Sequence, residues 1–273
     1  GRSLSGTKAP DKAADPILVH PDVRRMLLTQ RAYIEGCRAL GQWVATSLDI
    51  AKHHPDAMKR QEADDLVFLL TPIVKAFMTD MGSEVANLGV QVFGGHGFIR
   101  EHGQEQYVRD ARITQIYEGT NGVQALDLVG RKMPAHAGRY LRRFFHPVQA
   151  WIEANMENEA LAEFVQPLAK AFVRLQQATG QIARVGMVKP DEAGAASVDY
   201  LRLFGLTALA YLWGRMVEVS LPKVGGPEDD GFYAAKIATA RFYMDRLLPE
   251  TGWRFSNIMA GGKSIMEFPD DAF

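Results

Sequence analysis

The sequence predicts an all-α protein built as two helical bundles in tandem, and three observations carry that prediction. Apolar residues recur at three- and four-residue steps over long stretches, and strand-like alternation is nearly absent. The breaks between the periodic stretches fall at Pro and Gly clusters. A chain of 273 residues is too long for one small core and suits two units of about 100–150 residues each.

The elements follow in order. The opening "GRSLSGTKAPDKAADP" is polar and contains Gly and Pro, so it reads as loop. It has no initiator Met, basic n-region or apolar h-region, which argues against a signal peptide and for a stretch cut from a longer chain. A first long helix is expected from Pro21, with Pro and Asp22 in its first turn and Val23, Met26, Leu27, Ile34, Cys37 and Leu40 on its apolar stripe. "KHHPDAMKRQEADD" is a polar break. A second helix carries Leu66, Leu70, Ile73, Phe77 and Met81, with Pro72 either in its first turn or at a kink, and is stopped by Gly94, Gly95 and Gly97. Asn121 is expected to cap a third helix through Val123, Leu126, Leu128 and Val129. "RKMPAHAGR" marks a boundary near Pro134, dividing the chain into residues 1–133 and 134–273. Helical stretches follow at 137–156, 160–187, 194–220 and 231–248, separated by Pro190-Asp191, by "LPKVGGPEDDG", and by Pro249 with Gly252. Two apolar stripes, through Leu161, Phe164, Leu168, Phe172 and Leu175 and through Leu206, Leu209, Leu212, Trp213 and Met216, would pack the second half.

Composition excludes several classes. A net charge of -1 argues against general affinity for nucleic acid or an anionic membrane. No apolar run in the sequence approaches the roughly 20 residues of a membrane span. The single cysteine, Cys37, cannot form an intrachain disulfide and sits on an apolar stripe, which fits an inert core thiol and a cytoplasmic setting.

Motif by motif, the chemistry narrows. "GGHGF" lacks both a preceding strand and the G-x-G-x-x-G spacing of a dinucleotide fingerprint, and it reads as a helix terminus that still permits close approach of a ligand. The histidines show no metal-ligand spacing, so no metal site is expected. There is no G-x-S-x-G nucleophile motif. Glu118, between the apolar Ile113, Ile116 and Tyr117 and the turn Gly119-Thr120-Asn121-Gly122, has two readings. It is either a structural acid ahead of a helix or a general base whose apolar neighbours strip its hydration and raise its pKa.

Two linked blocks favour the second reading. Gln91 to Phe98, "QVFGGHGF", and Arg109 to Thr120, "RDARITQIYEGT", resemble the motifs Q-x-F-G-G-x-G-[FY] and R-D-[AS]-[RK]-I-x-x-I-Y-E-G-T of the acyl-CoA dehydrogenase family, in order and at suitable spacing. The resemblance covers residues 1 to about 133. The opening "GRSLSG … ADPILVHPDVRRMLL" is similar to the branch with an extra C-terminal domain, the 3-methylmercaptopropionyl-CoA dehydrogenase-like proteins, and the stretch after Pro134 looks like that extension.

The resemblance implies an FAD-dependent oxidoreductase that converts an acyl-CoA thioester to a trans-2-enoyl-CoA, a step of fatty acid β-oxidation. Glu118 is implied as the α-proton base, with hydride passing to the flavin, and Gly119 as the residue that leaves room for the thioester. Gln91, Val92, Phe93, Gly94 and Gly95 are implied to contact the FAD of a neighbouring subunit, and Thr120 and Asn121 to receive FAD beside the base. After Thr120 the chain departs from many relatives, with Asn121-Gly122 in place of Ser followed by Glu or Gln, so Gly122 is assigned no contact. The family also implies a homodimer or homotetramer and electron-transfer flavoprotein as acceptor. Its N-terminal helical and middle β-domains are not in this sequence, so the chain alone is expected to be inactive. The competing reading is an all-α oligomerisation module in which Glu118 is structural.

Overall fold

A computed structural model describes every residue except 228. Among the described residues there is no strand, and the fold is all-α, its helices sharing one hydrophobic core rather than forming two separate bundles. Around the buried carboxylate of Asp15 the N-terminal loop folds back on itself: backbone N–H groups of Ser3, Lys8 and Ala9 donate to it at 2.8, 2.9 and 2.7 Å.

Helix α1 (Pro21–His53) opens with Pro at its first turn, and its last turn carries Lys52 and His53 against the carbonyl end. Its buried stripe runs through Met26, Tyr33, Gly36, Cys37, Leu40 and Val44, whereas Ile34, expected on that stripe, is 45% exposed. Gly36 belongs to the stripe because a Cβ there would stand 3.0 Å from Leu209 and Trp213, a gap only hydrogen fills comfortably.

Helix α2 (Ala57–Phe93) starts inside the stretch read as a polar break. Asp56 caps it by accepting from the Met58 N–H at 2.7 Å, so a short polar turn suffices where a long break was expected. Pro72 therefore lies in the helix interior, where it removes one bond from the ladder. By length and composition α2 could cross a bilayer, with a mean hydropathy of 1.3 over its most apolar window, contrary to the sequence expectation. Here that apolarity fills the core: Leu69, Leu70, Ile73, Ala76 and Phe77 are fully buried.

Beyond Gly94 come the single turn α3 (Gly95–Phe98), α4 (Gln104–Thr114), which returns along α2, and the short α5 (Asn121–Asp127). The chain passes through a π-turn, Leu128–Lys132, into α6 (Ala135–Asn155), whose His136, Ala137 and Gly138 take left-handed backbone angles before the regular helix begins. Next are α7 (Ala162–Gly186) and α8 (Pro190–Ser220). Pro190 opens α8, where the sequence placed a separator, because a proline at the first helical position loses no bond. Last come α9 (Phe232–Phe242), continuing as a π-turn through Leu247, then α10 (Glu250–Ala260) and α11 (Lys263–Met266). The sequence reading named neither α4 nor α10. Among its residues α4 buries none, and α10 begins at the Pro249–Gly252 stretch that was read as a break.

Helix α8 is apolar all round and central, the expected signature of a helix packed on every side. Leu161, Phe164, Leu168, Phe172 and Leu175 of the preceding turn and α7 are all buried against it, as their spacing predicts. Phe77 of α2 sits against Gly205 of α8, and Trp151 of α6 against Gly214. Side chains from both sides of Pro134 thus belong to one continuous core. Across the same seam Arg202 of α8 donates to Glu84 of α2 at 3.3 Å, and on its own side it donates to Glu250 of α10 at 2.8 and 3.0 Å.

Candidate active site

Between α4 and α5 the chain makes a loop closed by the Asn121 N–H, which donates to the Gln115 carbonyl at 3.1 Å. Glu118 and Gly119 inside it take successive positive φ values of 53° and 86°. For a residue with a Cβ this left-handed backbone costs about 1–2 kcal/mol. Such strain persists only where the surroundings hold it.

One face of α2 does the holding. Lys75 Nζ donates to the Gly119 carbonyl at 2.6 Å and to Asn121 Oδ1 at 2.8 Å. Asn121 Nδ2 donates to Asp80 Oδ1 at 2.6 Å and to the Ala76 carbonyl at 3.1 Å. Gln115 Nε2 donates to the same Asp80 oxygen at 2.6 Å. The ammonium on one side and the carboxylate on the other fix which way the Asn121 amide faces. Lys75, Ala76, Thr79 and Asp80 fall at i, i+1, i+4 and i+5, two adjacent pairs one turn apart, so they share one helix face. From the far side Gln124 Nε2 reaches the Glu118 carbonyl at 3.4 Å.

Within this clamp the backbone N–H groups of Glu118, Gly119 and Thr120 have no acceptor among the described residues. Three successive free donors beside an exposed carboxylate are available to a negative or polarised oxygen. Thr120, not Asn121, caps α5: its Oγ1 accepts from the Val123 N–H at 3.4 Å. Asn121 is already the first helical residue, and its side chain is drawn away to α2.

The structure also corrects the expected burial of Glu118. Its side chain is exposed, and Ile113, Ile116 and Tyr117 are 52, 46 and 50% exposed. Ile113 faces outward because α4 lies along α2 without burying any of its own residues, and Ile116 and Tyr117 follow in the exposed loop beyond it.

Gln91 to Gly95 lie elsewhere. They form the end of α2, where the Gly94 N–H donates to the Gln91 carbonyl at 3.1 Å and Gly94 turns the chain with φ 61°. Phe93 is 53% exposed, and a Cβ added to Gly94 or Gly95 would meet nothing within 4 Å. Asp80 and Gln91 are eleven residues apart, about 16 Å along the helix. The two motifs therefore occupy two levels of α2 and do not line one pocket within this chain. Lys75, Thr79, Asp80, Gln115 and Gln124 were not singled out from sequence. The available signal was a polar group interrupting α2 between the fully buried Ile73 and the buried Met81.

The family described as "Acyl-CoA dehydrogenase, C-terminal domain" matches residues 3–133, and "Acetyl-CoA dehydrogenase C-terminal like" matches residues 144–269. The chain belongs to the acyl-CoA dehydrogenase family. It is 40% identical over 254 residues to 3-methylmercaptopropionyl-CoA dehydrogenase of Ruegeria pomeroyi, covering 93% of this chain and 43% of that protein. It is 32% identical over 282 residues to a broad-specificity linear acyl-CoA dehydrogenase of Mycobacterium tuberculosis, covering 98% of this chain and 46% of the relative. The chain thus spans less than half the length of these two curated relatives. Among solved structures, Caenorhabditis elegans ACDH-11 in complex with C11-CoA shares the fold at a TM-score of 0.72 and 17% identity, covering 97% of this chain and 41% of that one. An acyl-CoA dehydrogenase of Bacillus anthracis complexed with FAD does so at 0.69 and 18%, covering 91% and 44%. Cys37 is buried, and burial pushes its thiol up to about 12, which fits the inert core role expected of it.

Proposed function

We propose that this chain supplies the catalytic base of an FAD-dependent acyl-CoA dehydrogenase, acting with flavin-binding domains outside the sequence described here. The observation that carries the proposal is Glu118 itself. Its exposed carboxylate stands on a strained left-handed loop, pinned to α2 by Lys75 and Asn121 and flanked by unpaired backbone donors. Strain held in place by a dedicated network is characteristic of reacting groups.

In this reading Glu118 removes the α-proton of an acyl-CoA thioester. The thioester oxygen gains charge as the proton leaves, and the N–H of Glu118 is placed to donate to it. Gly119 has no side chain to block the thioester, and its positive φ of 86° suits glycine. FAD, when bound, would accept the β-hydrogen as hydride, so that the product is a trans-2-enoyl-CoA.

The residues present fit such a cofactor at two places. Gln91, Val92, Phe93, Gly94 and Gly95 offer open backbone at the end of α2 for the dinucleotide part of a neighbouring subunit's FAD. Thr120 presents a hydroxyl beside the base, its oxygen accepting from the Val123 N–H, and Asn121, whose amide is committed to α2, would face FAD through its backbone only. The half-exposed Ile113, Ile116 and Tyr117 are suited to being covered by a flavin domain, which would supply the desolvation that this chain alone does not. We further propose a homodimer or homotetramer, electron-transfer flavoprotein as electron acceptor, a cytoplasmic setting consistent with the one buried thiol, and a chain that is inactive by itself.

The test is Glu118→Gln in the complete flavoprotein. FAD should remain bound, while bleaching of the flavin by acyl-CoA should slow by about 10⁴-fold, near the upper end of what a positioned base contributes. Retention of a tenth or more of the wild-type rate would overturn the assignment.

A further inference from the structure

Three helix faces converge on a second cleft, about 550 Å³ in volume, at the junction of α1, α2 and α6. From α1 come Trp43, Ile50 and His54, spaced at seven and four residues. From α2 come Lys59, Glu62 and Leu66, at three and four. From α6 come Arg142, Arg143 and His146. Residues at these spacings share a face, so the clustering follows from helix geometry and from how the three helices cross. Lys59 lies sixteen residues before Lys75, about 24 Å away along α2.

Its charge is uneven. Arg143 is neutralised, donating to Glu62 at 2.9 Å and standing 3.5 Å from Asp65, and with Arg139, 2.9 Å from Asp65, it ties α6 to α2. Lys59 and Arg142 have no carboxylate partner among the described residues, although Arg142 spends one N–H on the Ala137 carbonyl at 2.9 Å. His54 Nδ1 accepts from the Asp56 N–H at 3.0 Å, which leaves Nε2 as the protonated nitrogen and a donor. His146 makes no hydrogen bond within the chain among the described residues. In a protein of net charge -1, this gathers two cations without a salt-bridge partner among the described residues and two histidine donors on one concave surface, with the Asp56 carboxylate near enough to Lys59 and His54 to feel their charge. Beneath them lie carbon surfaces of Trp43, Ile50 and Leu66.

We propose that this cleft binds a soluble phosphate monoester, with the phosphate held by Lys59, Arg142 and His146 and the organic part resting on Trp43, Ile50 and Leu66. Two unpaired cations match a dianion better than a monoanionic carboxylate. A cleft of 550 Å³ is far larger than inorganic phosphate needs and lies within the range of small-molecule sites.

The probes are phenyl phosphate and inorganic phosphate, titrated calorimetrically into the full chain at low ionic strength. Phenyl phosphate should bind saturably at one site and at least about tenfold more tightly than inorganic phosphate, because only the ester can use the carbon floor. Lys59→Glu combined with His146→Glu should weaken phenyl phosphate by at least about tenfold, with circular dichroism and melting temperature unchanged. Lys59→Glu alone is the second variant and should move the affinity in the same direction. Failure of phenyl phosphate to saturate, or equal affinity in wild type and variants, would overturn the proposal. So would co-sedimentation with phosphatidic acid vesicles that is lost in the variants, which would make the ligand a lipid headgroup.

Discussion

Replacing Lys75 by Met tests whether α2 holds the Glu118 loop in its strained shape. Two hydrogen bonds from one ammonium would vanish, to the Gly119 carbonyl at 2.6 Å and to Asn121 Oδ1 at 2.8 Å. Bonds to a charged donor contribute about 1.5–3 kcal/mol each when well protected. Lys75 is only half-buried, so screening brings the pair down to about 1–2 kcal/mol in total. That is comparable to the left-handed strain at Glu118, about 1–2 kcal/mol, which the clamp offsets. The loop should therefore open about 5–30-fold more often. The reporter is the Asn121 amide, bonded to the Gln115 carbonyl and released when the loop opens. Its hydrogen exchange should accelerate by that factor, while amides of α8 keep their protection because Met preserves the aliphatic stem and the core is untouched. An unchanged Asn121 exchange rate would refute the clamp and show that the left-handed turn is maintained by its own local bonds.

Gly205→Ala should lower stability by about 1–3 kcal/mol, the range for overpacking a close-packed core. The new Cβ would lie under 3.0 Å from the ring of Phe77, which is fully buried. Thermal melting should fall by about 2–4 °C per kcal/mol, and an unchanged melting temperature would mean α2 and α8 are less tightly apposed than the structure has them. Asp15 is held down to about 2, first by the backbone N–H of Ser3 and also by those of Ala9 and Lys8 and by the charge of Arg2. A carboxyl whose folded value is depressed below 3.8 stabilises above that ordinary value and loses its contribution as pH falls through about 2. The amide signals of Ser3, Lys8 and Ala9 should therefore titrate near pH 2, and a midpoint near 3.8 would refute the turn. Cys37, buried and pushed up to about 12, should resist iodoacetamide at pH 8 until the protein unfolds; rapid labelling of the native state would contradict its place in the core.

Sequence alone determined most of the helices and singled out the residue proposed as the base. Amphipathic spacing is a local property, so the apolar stripes from Leu66 to Met81 and from Leu161 to Leu175 were legible without any partner helix, as was the loop before Pro21. The motif around Glu118 was legible because its residues are contiguous. Where the sequence erred, the competing signal was also local. Pro190 and Pro249 each look like breaks, yet both sit at helix beginnings, while Pro72, expected in a first turn or at a kink, sits inside a helix; the outcome depends on whether the missing N–H would have had an acceptor.

The tertiary structure decided which face of each helix meets which neighbour, and with it everything that acts across long sequence separations. Lys75 reaches Gly119 across 44 positions, and Lys59 meets His146 in one cleft only because α6 crosses the junction of α1 and α2. The exposure of Glu118 was equally illegible, since apolar neighbours in sequence desolvate a carboxylate only if they turn towards it, and here they face outward. Helix periodicity is written every three or four residues, but the crossing of helices is set by packing summed over the whole core, and no short stretch of sequence contains that sum.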